Sequence, residues 1–129
     1  MVGPLEAVQT RKFIKRYREI RPDAVIVKPN DRVTPGILDF FLADFGHTWH
    51  IEAKRSSNTL SDLQKRMLER LHAATYGRAG VLWFDDATGT CVLSFKGVPE
   101  LTAPSPVKMA EVFALWLGSK SVDIRPPVE

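Results

Sequence analysis

The segment from Gly36 to Lys54 constrains this chain most, because its side chains sort onto two very different faces only if it folds as one hairpin. It runs Gly36-Ile37-Leu38-Asp39-Phe40-Phe41-Leu42-Ala43-Asp44, turns at Phe45-Gly46, and returns as His47-Thr48-Trp49-His50-Ile51-Glu52-Ala53-Lys54. Side chains alternate faces along a strand. With the turn centred on Phe45 and Gly46, Leu38 faces Ala53, Phe40 faces Ile51 and Leu42 faces Trp49, so one face is wholly apolar. On the other face Asp39 lies across from Glu52, and His50 and Lys54 flank Glu52. A slip of one residue destroys the apolar pairing, so the pattern selects this register.

Two directly opposed carboxylates destabilise a strand pair, since their Cβ atoms stand only about 5 Å apart. Lys54 offsets part of that repulsion. A divalent cation shared by both carboxylates would offset the rest, because hard cations such as Mg²⁺ take carboxylate oxygens. The alternative is two solvated surface acids, the ordinary state of a carboxylate on an outer strand face.

The remainder of the chain reads as one α/β domain over residues 1–118 with a loose tail over 119–129. Its 129 residues, 44% hydrophobic and 26% charged, suit a single globular core. Pro4 suits a first helical position, and Gln9, Phe13, Tyr17 and Ile20 make one stripe of a helix ending near Ile20. Ala24 to Lys28 reads as a short strand and Pro29 to Pro35 as a polar loop. After the hairpin, Ser56 to Thr59 leads into a helix from about Leu60 to Tyr76. Thr59 with Asp62 and Ser61 with Gln64 both fit the capping-box spacing there. Gly80-Val81-Leu82-Trp83-Phe84 is a continuous apolar run, expected to be a strand buried on both faces and parallel to the Glu52 strand. Thr90 to Phe95 is a further strand, Pro99 to Pro106 a loop, and Val107 to Leu117 a third helix. The expected order is αβββαββα around a mixed sheet.

The single cysteine, Cys91, excludes an internal disulfide and any zinc site built on cysteine pairs. With no signal-like start and no apolar run of membrane length, a cytoplasmic, non-membrane protein is expected. The net charge of +3 is small, but its distribution is uneven. Arg11, Lys12, Lys15, Arg16, Arg18 and Arg21 place six cations within eleven residues, opposed only by Glu19. That face is either simply solvated or a phosphate contact. Arg55 and Lys65 would flank the acidic pair if the hairpin folds as described, and would neutralise backbone phosphates without reading sequence.

Gly36-Ile37-Leu38-Asp39 followed by Ile51-Glu52-Ala53-Lys54 resembles the PD-(D/E)XK nuclease superfamily, and Leu60-Ser61-Asp62-Leu63-Gln64 through Leu71 resembles its VRR-NUC branch. The match covers roughly Glu6 to Trp83. It departs at Leu38, where proline is common; the nearest proline is Pro35. The resemblance implies a restriction-endonuclease-like fold and a metal-dependent DNA endonuclease. It implies Asp39, Glu52 and the Ala53 carbonyl on one or two Mg²⁺ or Mn²⁺ ions, with Lys54 acting on the attacking water. It implies Gln64 directed at the carboxylates or a phosphate, and Glu6 completing the metal site. Small stand-alone members look like dimeric junction-cleaving enzymes, so branched DNA and a second copy of the chain are the implied partners. The residues alone leave other roles open. Gln64 reads equally as a buried amide satisfied by backbone or as a helix-start cap, and Glu6 as an acid favouring the helix macrodipole. His50 is either a general base or a strand histidine opposite Phe41. Val112, Phe113, Ala114, Trp116 and Leu117 form either an interface or a cap on the core. Trp83, Phe84 and Cys91 read as core, and Asp85-Asp86 as a turn. A binding module that has lost activity, or an α/β domain with an ordinary surface ion cluster, are the competing readings.

Overall fold

The computed structural model describes residues 4–28 and 39–123. The order is α1 (Pro4–Ile20), β1 (Val25–Val27), β2 (Phe40–Asp44), β3 (His47–Arg55), α2 (Asp62–Ala74), β4 (Ala79–Phe84), β5 (Cys91–Phe95), β6 (Leu101–Ala103) and α3 (Pro106–Asp123). The six strands form one sheet in sequence order. Only β3 and β4 run parallel, with α2 as their crossover. The fold is therefore the expected mixed α/β sheet flanked by helices, with one strand more than the sequence pattern shows.

The hairpin register is the one the alternation demands. Phe40 pairs with Ile51, Phe41 with His50 and Leu42 with Trp49. Phe45 and Gly46 both take positive φ, 53° and 80°, the two-residue turn whose twist matches flanking strands. The strained Phe45 is held by the Arg21 guanidinium, 3.9 Å over its ring. The pairing of Leu38 with Ala53 lies outside the described residues.

One face of the sheet carries the core. Phe40, Leu42, Ile51, Leu82, Leu93 and Phe84 point into it, and α1 and α3 cover it with Phe13, Tyr17, Met109 and Phe113. Phe113, Ala114 and Leu117 are buried there, so α3 caps the core; Val112 and Trp116 are partly buried against it. Cys91 is wholly buried too, and burial pushes its thiol up to about 12. Asp44 ties this layer to the hairpin. It accepts from Tyr17 Oη at 2.7 Å, from Arg21 Nε and Nη2 at 2.9 and 3.1 Å, and from the Phe45 N–H at 3.0 Å. Burial alone would raise the Asp44 carboxyl, but those donors hold it below its ordinary value.

Three expectations are corrected. Leu101–Ala103, read as loop, is strand β6; three residues are too few to display alternation, and pairing along β5 makes the strand. The third helix does not stop at Leu117 but runs on past Gly118 to Asp123. Gly118 is not a helix stop: it lies inside α3 with helical backbone, facing the Phe45 ring. Finally, α2 begins at Asp62, and none of its residues is buried. Met67, Leu68 and Leu71 are only half-buried and Leu63 is 40% exposed. Among the described residues one helix covers this face of a six-stranded sheet, so its side chains are only partly enclosed.

Candidate active site

The ladder between β3 and β4 determines where the backbone of β3 points. The His50 N–H bonds Arg78 O and the Ser56 N–H bonds Phe84 O. The even-numbered backbone groups of β3 therefore face β4, and those of Ala53 and Arg55 face the opposite edge, just where the described part of β2 ends. Two carboxylates occupy that edge. Asp39 Oδ2 accepts the Ala53 N–H at 2.6 Å, and Glu6 Oε1 accepts the Arg55 N–H at 3.2 Å. The N–H groups that anchor them are two residues apart, about 6.5 Å along the strand.

Glu52 projects beneath α2 and is 4% exposed. The Asp39 carboxyl lies near enough to act on it. Burial, then the Asp39 charge, pushes Glu52 up to about 8, while the Lys54 ammonium pulls the other way. Burial also raises Asp39, against the Ala53 N–H and the Glu52 contact; Glu6 adds to the rise and Lys28 opposes it. The pair therefore holds one proton between its two carboxyls at neutral pH, the state expected of two acids that cannot both ionise side by side.

Gln64 joins the two roles left open for it. Ser61 Oγ accepts the Gln64 N–H at 3.1 Å and Gln64 Oε1 accepts the Ser61 N–H at 2.9 Å, a complete capping box. The box leaves the Gln64 amide nitrogen pointing outward, and it donates to Glu52 Oε2 at 3.0 Å. The cap that starts α2 thus also orients the acid; the competing Thr59–Asp62 box does not form the start of this helix.

The structure separates the remaining predicted residues. Asp39, Glu52, Lys54 and Gln64 come together. Glu6 lies beside them, but its Oε1 is engaged by the Arg55 N–H and by Asn58 Nδ2 at 3.1 Å. Among the described residues no three acidic, histidine or cysteine side chains converge as a ready cage for an ion. Two hard carboxylates sharing a proton, with the Ala53 backbone on their edge, nevertheless have the donor chemistry that Mg²⁺ or Mn²⁺ takes. His50 lies edge-on to Phe41 at 4.7 Å, and burial lowers its pKa, so it is a neutral strand histidine.

The cations divide likewise. Arg55 forks onto Asp86, with Nη2 at 2.7 Å, which also accepts from Ser57 Oγ, so its charge is spent joining two loops. Within α1, Arg16 bonds Glu111 and Glu19, Arg18 bonds the Ile26 carbonyl and Arg21 bonds Asp44. Arg11, Lys12 and Lys15 are exposed and line a cleft of about 840 Å³ together with Arg18 and Lys28. Lys28, missed in the sequence, connects this basic cleft to the acids, since its charge acts on Asp39. Lys65 is exposed on α2.

The shared proton makes the site sensitive to pH. A folded-state pKa raised from 4.5 to about 8 means that stability from Glu52 is fully present below 4.5 and declines as pH rises to about 8. A bound cation takes the proton's place. The stabilisation by Mg²⁺, read from the shift in melting temperature, is therefore expected to grow between about pH 6 and about pH 8.5, reaching on the order of 1–3 kcal/mol at saturation. Glu52→Gln should remove the Mg²⁺ response and make the metal-free protein more stable at the higher pH. Thermal melts of both proteins check this, and a Mg²⁺ response independent of pH would contradict it.

No protein-family model matches this chain, and a search of curated proteins finds no similar one.

Proposed function

We propose that this chain is a Mg²⁺- or Mn²⁺-dependent deoxyribonuclease of the PD-(D/E)XK type, VRR-NUC-like, that hydrolyses phosphodiester bonds in branched DNA. The observation that carries this reading is the buried Glu52 beside a half-buried Asp39 anchored on the Ala53 N–H, with the Gln64 amide bonded to Glu52 and the Lys54 charge acting on it. Asp39, Glu52 and the Ala53 carbonyl would hold the cation. When bound, a divalent ion polarises the scissile phosphate and acidifies water. Lys54, on the same strand face as Glu52, positions the attacking water and stabilises charge developing on the phosphate. Gln64 keeps Glu52 in the rotamer that faces Asp39. Glu6 holds the neighbouring N–H of β3 and would help to hold the cation.

The basic cleft supports a polyanionic substrate. Arg11, Lys12 and Lys15 would take backbone phosphates, and Lys28 marks the cleft's acid-pair end. These cations carry no base information, which fits selection by DNA shape. Replacing Lys12 and Lys15 by Gln should weaken DNA binding alike for all sequences and lower the salt slope of log K by roughly 0.9 for each phosphate no longer neutralised. An unchanged slope in a salt titration would remove the cleft from the substrate path.

Activity requires a metal titration of cleavage on junction, flap, nicked and single-stranded DNA, with EDTA as control. Cleavage restricted to branched substrates is the expected result. Binding without cleavage in either metal would make this chain a nucleic-acid-binding module with the same fold. A dimer would place two sites on opposing strands; Leu115, 76% exposed on α3, is available to such a contact. No helix among the described residues is long and apolar enough to cross a membrane.

A further inference from the structure

A second cleft, of about 420 Å³, opens where the C-terminal end of α2, the start of β4, the end of β5 and the last turns of α3 meet. It is separate from the basic groove of α1 and from the Asp39–Glu52 edge. Its volume lies within the range of clefts that take small ligands. Trp49, Tyr76, Arg78, Lys96, Trp116 and Lys120 give it its character, and among the described residues no Asp or Glu lines it.

The lining supplies two chemistries together. The first is a fixed aromatic platform. The Trp116 ring is parallel to Phe95, 3° between planes at 5.9 Å, and is backed by Phe113 at 6.0 Å. Lys120 Nζ stands 5.0 Å over the same ring. The second is an excess of donors. Arg78 spends Nη1 on the Thr75 carbonyl at 2.7 Å, but its Nε is buried without an acceptor. Trp49, 5% exposed, likewise has an indole N–H with no acceptor among the described residues. The Arg78 guanidinium lies 5.9 Å over the Trp49 ring, so the two orphan donors stand side by side beneath the cleft. A buried donor left unpaired costs about 1–3 kcal/mol, and two beneath one cleft call for an acceptor-rich occupant. At the rim Tyr76 is 91% exposed with φ of 55°, an aromatic held outward in a conformation that non-glycine residues rarely adopt.

We propose that this cleft binds a nucleotide, with the base stacked on Trp116 under Tyr76 and the phosphate held by Arg78, Lys96 and Lys120. Arginine forks match phosphate oxygens, and aromatic faces accept any base. A swing of Arg78 onto the phosphate uncovers the Trp49 N–H to an acceptor of the ligand. The nucleotide is either free or one unit of a strand. The inference stands apart from the cleavage reading, since none of its residues touches the acid pair.

The test uses the full chain in EDTA, so no cleavage takes part. The indole N–H resonances of Trp49, Trp83 and Trp116 are followed while 5′-dAMP, adenosine, inorganic phosphate and a 5′-phosphorylated tri-deoxyadenylate are added separately. Trp83 pairs with Lys54 in the sheet and so reports the acidic site. Saturable shifts of Trp49 and Trp116 with 5′-dAMP, with Trp83 still, are expected. Adenosine and phosphate should each bind at least about 10-fold more weakly than 5′-dAMP. Lys96→Ala with Lys120→Ala, both changes outside the core, should weaken 5′-dAMP about 10-fold or more with the circular dichroism spectrum unchanged. A tighter response to the trinucleotide assigns the site to a strand, and a weaker one to free nucleotide; either supports the proposal. No shift up to about 10 mM 5′-dAMP, equal shifts with phosphate alone, movement confined to Trp83, or full affinity in the double variant overturns it.

Discussion

Lys54→Ala is expected to leave the protein folded and able to bind DNA while lowering Mg²⁺-dependent cleavage by roughly 10²–10³-fold or more, the usual cost of one preorganised charge at a reacting phosphate. The direction follows from the position of Lys54. It sits two residues from Glu52 on the same face of β3, paired with Trp83 of β4, and its charge favours ionised Glu52. On the proposed reading, removing it would take away the ammonium beside the attacked phosphate. It also makes the shared proton harder to displace, so the Mg²⁺ concentration needed for half-maximal stabilisation should rise. Lys54 is half-buried, on the sheet face opposite the core, so truncation creates no core cavity and the thermal midpoint should change little. Single-turnover cleavage of a junction by both proteins, with binding measured in EDTA, decides the matter. A variant that cuts at the wild-type rate would remove Lys54 from the reaction.

Phe113→Ala carries the largest expected effect on stability, a loss of about 3–5 kcal/mol. The Phe113 ring is wholly buried and lies 5.8 Å from Trp49, 6.0 Å from Phe95, 6.1 Å from Tyr17 and 6.3 Å from Phe13. It therefore joins α1, α3 and the sheet at one point, and neighbours that are themselves wedged by rings cannot collapse into the space left. Against a total stability of about 5–15 kcal/mol, that is a drop in melting temperature of roughly 10–20 °C. Urea unfolding should show a lower midpoint at unchanged slope. A loss under about 1 kcal/mol would mean that α3 does not pack across this core as described.

The hairpin was legible because a period of two is stiff: once the apolar face is assigned, the opposite face follows, and Asp39 is placed toward Glu52 without further information. The same logic marked β4, whose uninterrupted apolar run requires cover on both sides. Gln64 was legible only as a conflict, an amide among apolar neighbours, because two capping boxes compete in that stretch and either would start a helix. Glu6 was placed on the correct helix, but nothing local shows that its carboxylate is taken up by a strand N–H forty-nine positions away. Arg55 looked like a free cation for the reverse reason, since its partner Asp86 arrives from another turn.

What the sequence alone determined are the quantities carried by neighbours in the chain: strand register, the Phe45-Gly46 turn, and the pairing of two acids across one hairpin. Tertiary structure decided which charges are already spent, how deeply the acid pair is buried, that Lys28 lies at its edge, and that Trp49, Arg78, Trp116 and Lys120 meet. Those depend on desolvation and on the meeting of distant segments, and neither property has a period along the chain.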